Sequence, residues 1–145
     1  MNFTPLHVYS GYSYLKSALK INEYIKKAVT LGYKKLSITD WNNFTVIPEF
    51  VKQCKTNNIK PIIGEDVIVE DVLLTFIVLN EQGYRNLLKL SNANQVQKIT
   101  LSYVKDNVEG LAVILGSNSR IFKNSVIGSK EVAKFARGFD NFYIG

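Results

Sequence analysis

The chain is poor in the residues that hold metals or covalent bridges, with one cysteine, one histidine and one tryptophan among 145 residues. The lone Cys54 cannot pair within the chain, which excludes a disulfide framework. A single imidazole and a single thiol also leave a zinc-type cluster short of donors, because each ion needs about three protein ligands. Long apolar runs are missing as well. The longest, Val72-Leu73-Leu74-Thr75-Phe76-Ile77-Val78-Leu79, falls far below the roughly 20 residues that a membrane span requires. No positively charged start leads into an apolar stretch of the signal-peptide kind. These absences predict a non-membrane chain in a reducing, cytoplasmic compartment.

What is present is hydrophobic mass and positive charge. At 46% hydrophobic residues the chain can bury a real core as one domain or part of one. Its net charge of +6 invites a nucleic-acid reading, since lysines gain affinity for phosphates by releasing counterions. Along the sequence, however, Lys16, Lys20, Lys26, Lys27, Lys34, Lys35, Lys52, Lys55 and Lys60 are spread out, with no arginine-rich patch interleaved with aromatics. They read as solvated helix faces that add at most a weak, non-specific attraction.

Apolar periodicity predicts alternating strands and helices. Leu6 to Tyr9 reads as a first strand, followed by a turn around Ser10 to Ser13. Ile21, Tyr24, Ile25, Ala28 and Leu31 follow at helical spacing, with Gly32 placed to end that helix in a left-handed cap. Lys35 to Thr39 is a second strand, and a helix follows with Pro48 in its first turn and Val46, Ile47, Phe50, Val51 and Cys54 inward. Lys60 to Glu70 and Leu73 to Leu79 read as further strands around a short turn. Asn80 is an N-cap for a helix from Glu81 to about Ser91. A short helix near Leu101 to Asp106, a strand over Leu111 to Leu115, a helix from Ser129 to Ala136 and a strand at Asn141 to Ile144 complete the pattern. Such alternation predicts an α/β fold with mostly parallel strands and outer helices.

In such folds chemistry gathers where strands end, which here offers His7, Tyr9, Asp40, Trp41, Glu65, Asp66 and Ser117. Each has a plain structural role beside a functional one. His7 suits a hydrogen-bonded rim residue, Asp40 an acceptor for loop amides, and Trp41 a filler of space. Glu65 and Asp66 are neighbours on a strand and point to opposite faces, so at most one is expected to face the centre. Ser10, Ser13 and Ser117 have no base placed by sequence, which leaves nucleophilic catalysis unsupported.

Four pieces together resemble a known family: Leu6-His7-Val8-Tyr9-Ser10, Ile38-Thr39-Asp40-Trp41-Asn42-Asn43, Ile59-Lys60-Pro61-Ile62-Ile63-Gly64-Glu65-Asp66, and Asn80-Glu81-Gln82-Gly83-Tyr84-Arg85-Asn86-Leu87. In this order they resemble the polymerase and histidinol phosphatase (PHP) domain, in the version found at the N-terminus of the bacterial DNA polymerase III alpha subunit. The Gly83-Tyr84-Arg85-Asn86-Leu87 run resembles the polymerase branch rather than the phosphatases. The resemblance implies that residues 1–145 are the N-terminal part of a PHP domain, an incomplete (β/α)7 barrel. It also implies that the metal pattern is broken. Pro5, Tyr9, Trp41 and Leu73 stand at ligand positions, leaving His7, Asp40 and Asp66 as a residual set for a weak divalent ion such as zinc or manganese. Indole does not coordinate and phenol rarely does.

The function implied is a non-catalytic module of a replicative polymerase. Its partners would be the remainder of the alpha subunit, a proofreading exonuclease docked on its surface, and DNA indirectly. DNA-directed nucleotidyl transfer would belong to the longer protein, and no cofactor is expected in these residues. The alternative is a metal-dependent phosphoesterase of the same fold, using His7, Asp40 and Asp66. Because the sequence stops as a strand begins, the inner faces of Leu36, Ile38, Ile62 and Leu115 are expected to be poorly covered and the chain to self-associate.

Overall fold

A computed structural model describes residues 3–116, 119 and 125–145, with only the backbone described at 125–129 and 131. Ser117 therefore lies outside the described residues. The chain divides into two compact units, residues 1–65 and 66–145.

In the first unit, helix α1 (Ile21–Thr30) buries Ile21, Ile25 and Ala28 on one stripe. It ends in a Schellman cap: Gly32 adopts φ 72°, and the amides of Gly32 and Tyr33 donate to the carbonyls of Val29 and Ala28. Leu31, expected to face inward, instead caps the helix and is exposed. Helix α2 (Ile47–Thr56) carries Pro48 in its first turn and buries Ile47, Phe50 and Cys54. Burial pushes the Cys54 thiol up to about 11. The helix ends as α1 does, with Asn58 supplying the left-handed residue at φ 55° and the Ile59 amide donating to the Cys54 carbonyl at 2.9 Å. The two helices pack on each other and α2 packs on strand β1 (Lys35–Ile38). Strand β2 (Lys60–Val69) lies parallel to β1, Lys35 opposite Lys60 and Ile38 opposite Ile63. Two right-ended helix-to-strand junctions thus build the βαβ unit that the periodicity predicts.

The segment from Leu6 to Tyr9 is not a strand. It follows the edge of β1 through one main-chain bond, from the Thr39 amide to the Val8 carbonyl at 2.8 Å. The Val8 amide donates to the Thr39 hydroxyl, also at 2.8 Å, and the Ser37 hydroxyl donates to the Pro5 carbonyl at 2.5 Å. Side chains take the places of backbone partners, so no ladder develops.

In the second unit β2 runs into strand β3 (Val72–Val78) through Glu70 and Asp71, both left-handed at φ 47° and 68°. A two-residue turn of this kind returns the chain antiparallel, because a parallel return needs a crossover of a dozen or more residues. Strand β4 (Leu111–Leu115) pairs antiparallel with β3, and strand β5 (Phe142–Ile144) pairs parallel with β4. The expectation of mostly parallel strands is corrected accordingly: the sheet is mixed. Helix α3 (Glu81–Val96) runs five residues past the predicted end, and Asn80 caps it by accepting the Gly83 amide at 2.9 Å. It packs on β3 and β4. Helix α4 (Leu101–Lys105) is short, and helix α5 (Ser125–Ala136) begins four residues before the predicted Ser129. Leu74, Phe76, Leu87, Leu90, Val104, Val113 and Phe135 form this unit's interior.

Leu36, Ile38 and Leu115 are fully buried rather than poorly covered, and only Ile62 of the expected four keeps partial exposure. Helices laid along short strands already cover those faces within each unit. Among the described residues no helix is long and apolar enough to cross a membrane.

Candidate functional site

The candidate site of the first unit is built where β1 ends. Leu36 and Ile38 occupy one face of the strand and Ser37 and Thr39 the other, all buried. The strand then delivers Asp40, whose carboxylate has no exposed surface. Its Oδ1 accepts the Ser10 amide at 2.6 Å and the Ser13 hydroxyl at 2.7 Å. Its Oδ2 accepts the Ser10 hydroxyl at 2.5 Å. The Ser13 oxygen in turn accepts the Trp41 amide at 2.9 Å, and the Ser10 oxygen accepts the Tyr12 amide at 3.2 Å. Asp40 is therefore the hub on which the turn from Ser10 to Ser13 is folded, each buried polar atom having a partner.

His7 is exposed and meets Tyr9 edge to face, the ring centroids 4.8 Å apart. Trp41 is half-buried, and the Lys16 ammonium sits 3.8 Å from its ring centroid, a cation–π contact on the outer surface. Pro5 serves through its carbonyl, as the acceptor for Ser37.

In the second unit Asp66 is buried and its Oδ1 accepts the hydroxyl of Thr75 on β3 at 2.5 Å. Leu73 is half-buried on the same strand. Glu65 and Asp66 are both buried, at 0% and 1% exposure, where alternation allowed at most one to face inward. The pleat still separates them; from Gly64 to Val67 the strand is covered on both faces, so facing away from one interior does not mean facing water.

Among the described residues no group of three or more His, Cys, Asp or Glu side chains gathers that could hold a metal ion. Of the residues singled out, His7 and Asp40 belong to the first unit and Asp66 to the second, and each carries its own local partners. Both oxygens of Asp40 already receive protein donors, and serine hydroxyls donating inward repel a cation. The first unit's donors do not fit an intact metal centre. Sequence reasoning placed a turn at Ser10 to Ser13 and weighed the hydroxyls as nucleophiles, but missed that both donate to Asp40. Their spacing from each other, three residues around a glycine, was the available signal, since such short hydroxyl side chains favour local turns.

A second constellation lies at the start of α3. Gly83 approaches Gly110 so closely that a Cβ on Gly83 would lie 1.8 Å from the Gly110 carbonyl oxygen. One turn later the Asn86 amide donates to the Glu109 carbonyl at 2.9 Å, and the Leu79 amide donates to the Gly110 carbonyl at 2.9 Å. The glycine and asparagine of the Gly83-Tyr84-Arg85-Asn86 run thus have a packing reason: they hold the turn before β4.

An α/β chain with these strand ends and this helix motif falls in a definite class. The PHP domain family matches residues 5–141, and the chain belongs to that family. Within it, the chain is 34% identical over 119 residues to the DNA polymerase III subunit alpha of Streptococcus pyogenes serotype M3, covering 79% of this chain and 12% of that protein. It is 37% identical over 119 residues to the Mycoplasma genitalium subunit, covering 79% and 13%, and 38% identical over 102 residues to the Bacillus subtilis subunit, covering 66% and 9%. The chain thus spans about an eighth of the length of the first of these relatives. Among solved structures it resembles a candidate metal-dependent phosphoesterase from Bifidobacterium adolescentis, with a TM-score of 0.68 at 10% identity, covering 97% of this chain and 76% of that one. An amidohydrolase from Chromobacterium violaceum is similar at a TM-score of 0.64, again 10% identical, with coverage of 97% and 75%. At that identity the likeness concerns the fold alone.

Proposed function

We propose that this chain acts as a non-catalytic PHP module of a replicative DNA polymerase III alpha subunit, in the cytoplasm. Its work is that of a scaffold: it steadies the polymerase and offers a surface to a separate proofreading exonuclease, and it meets DNA through the longer protein. Nucleotidyl transfer belongs to the remainder of that protein. The observation that supports this reading is the commitment of Asp40, whose oxygens accept three donors from Ser10 and Ser13. Tyr9, Trp41 and Leu73 add bulk and no usable donor at the other family positions.

The test is metal retention together with hydrolysis. Protein incubated with zinc or manganese and then desalted should keep much less than one ion per chain, and should not hydrolyse bis-p-nitrophenyl phosphate above a protein-free blank. Stoichiometric retention of two or more ions, lost in His7→Ala and in Asp66→Asn, would establish the alternative phosphoesterase built on His7, Asp40 and Asp66. The scaffold role is checked by binding of purified proofreading exonuclease to the immobilised chain.

A further inference from the structure

The positive charge is not spread evenly in space. Residues 1–65 hold nine lysines against four acidic residues, while residues 66–145 are close to neutral, with nine basic and eight acidic. Two of the first unit's four acids, Asp40 and Glu65, are buried with no exposed surface. All nine lysines are exposed. The outside of this unit is therefore more basic than the sequence count suggests.

Topology then collects the lysines. Helix α1 leads directly into β1 and helix α2 directly into β2, and β1 and β2 are parallel. Both helix C-termini and both strand starts consequently share one end of the unit, opposite the end that carries Asp40. That end receives Lys26 and Lys27 from α1, Lys34 and Lys35 at the start of β1, Lys55 from α2 and Lys60 at the start of β2. No aspartate or glutamate occurs in residues 24–36 or 50–63, the segments that form it. Among the described residues none of these six lysines has an ion-pair partner, and the first unit's ion pair, Lys20 with Glu23, lies at the other end of α1.

Helix dipoles account for Lys27 and Lys55, since cations are favoured near helix C-termini. They do not account for the strand lysines. Lys35 and Lys60 are register partners in adjacent strands, about 5 Å apart across the sheet, and like charges placed opposite each other are destabilising. The Lys60 amide also donates to the Lys34 carbonyl at 2.9 Å, holding a third lysine beside them. A fold that pays this repulsion presents a row of cations to an external polyanion.

We propose that this rim, centred on Lys34, Lys35 and Lys60, adds a direct contact to the indirect one proposed above: it binds the phosphate backbone of duplex nucleic acid without reading its sequence. Flexible ammonium groups without arginine forks suit phosphate contact rather than base readout. A single strand would call for exposed rings to stack on, and the large exposed aromatics of this unit, Phe3, Tyr12 and Tyr14, lie outside the segments of the rim. A membrane surface would call for an apolar face beside the lysines; the apolar stripe of α1 (Ile21, Ile25, Ala28) is buried, and the exposed Val29 and Leu31 are two side chains rather than a face.

Fluorescence anisotropy with a labelled 20-bp DNA duplex tests this on the 145-residue chain. With about five phosphate contacts the slope of log K against log salt should be near −4 to −5, a loss of a few hundred-fold in affinity between roughly 50 and 200 mM salt. The triple variant Lys34→Gln, Lys35→Gln, Lys60→Gln should bind at least about tenfold more weakly at the lower salt, with a slope shallower by about 2 to 3. Lys16→Gln with Lys20→Gln, at the opposite end, should change both quantities much less. Thermal melts of each variant guard against unfolding, and the wild-type slope stands as a test without any substitution. A slope near zero, equal losses in both variants, preference for a single strand of the same length, or tighter capture by phosphatidylserine vesicles than by the duplex would overturn the proposal.

Discussion

Replacing Gly83 by alanine tests the close approach that holds α3 to the turn before β4. The added Cβ would lie 1.8 Å from the Gly110 oxygen and 2.5 Å from its carbonyl carbon, where ordinary contact begins near 3.4 Å. Both atoms are backbone, so no side chain can swing aside. Relief requires the two segments to separate by well over an ångström, which loosens the Leu79 amide to Gly110 carbonyl bond, the Asn80 cap on the Gly83 amide and the Asn86 bond to Glu109. Overpacking of this kind costs about 1–3 kcal/mol, and the weakened cap and hydrogen bonds add roughly 1–2 kcal/mol. Alanine's better helix propensity returns about 1 kcal/mol. The expected net loss is about 1–4 kcal/mol, a fall in Tm of roughly 3–13 °C for a chain of this size. Melting followed by far-ultraviolet circular dichroism measures it, with Gly116→Ala as the control, because a Cβ there meets nothing within 4 Å. If Gly83→Ala melts at or above the wild-type temperature, the two backbones do not touch and the packing account of the Gly83-Tyr84-Arg85-Asn86 run is wrong.

Asp40→Ala should cost about 3–5 kcal/mol in urea denaturation, since it strands two buried hydroxyls and an amide that now share one carboxylate; a loss below about 1 kcal/mol would show that the turn from Ser10 to Ser13 does not depend on it. The Lys134 ammonium, then the Leu101 amide, hold the Glu70 carboxyl below its usual range. A depressed folded value means that its contribution is present above the unfolded pKa near 4.3 and is lost as pH falls through the lower folded value. Glu70→Gln should therefore narrow its stability gap to wild type as pH drops below about 4, and a gap unchanged between pH 7 and pH 3 would contradict this. On edge strand β5 Tyr143 and Ile144 are more than half exposed, which favours edge pairing; sedimentation velocity should show a dimer at micromolar concentration that Ile144→Lys disperses, and a wild-type monomer would refute it.

Local signals accounted for much of this protein. Helical periodicity together with Gly32, Pro48 and Asn80 located three helices, with the end of α1 and the starts of α2 and α3, because caps and φ preferences act within a few residues. The four-piece pattern that resembles the PHP family was legible for the same reason, as short runs that lie before α1, at the end of β1, along β2 and at the start of α3. The short turn after Glu70 was visible too, yet its consequence, an antiparallel pairing in a sheet expected to be mostly parallel, emerged only from the left-handed φ angles of Glu70 and Asp71 and from the β3–β4 register. Tertiary structure alone decided which groups Asp40 serves, because Ser10 and Ser13 lie about 30 residues away and nothing local distinguishes a hydroxyl that donates to a buried carboxylate from one that faces water. It also decided where the charge gathers. Lysines far apart along the chain become neighbours at one end of the first unit because parallel strands bring every helix-to-strand junction to the same side, and strand direction is a property of the fold that no single stretch of sequence carries.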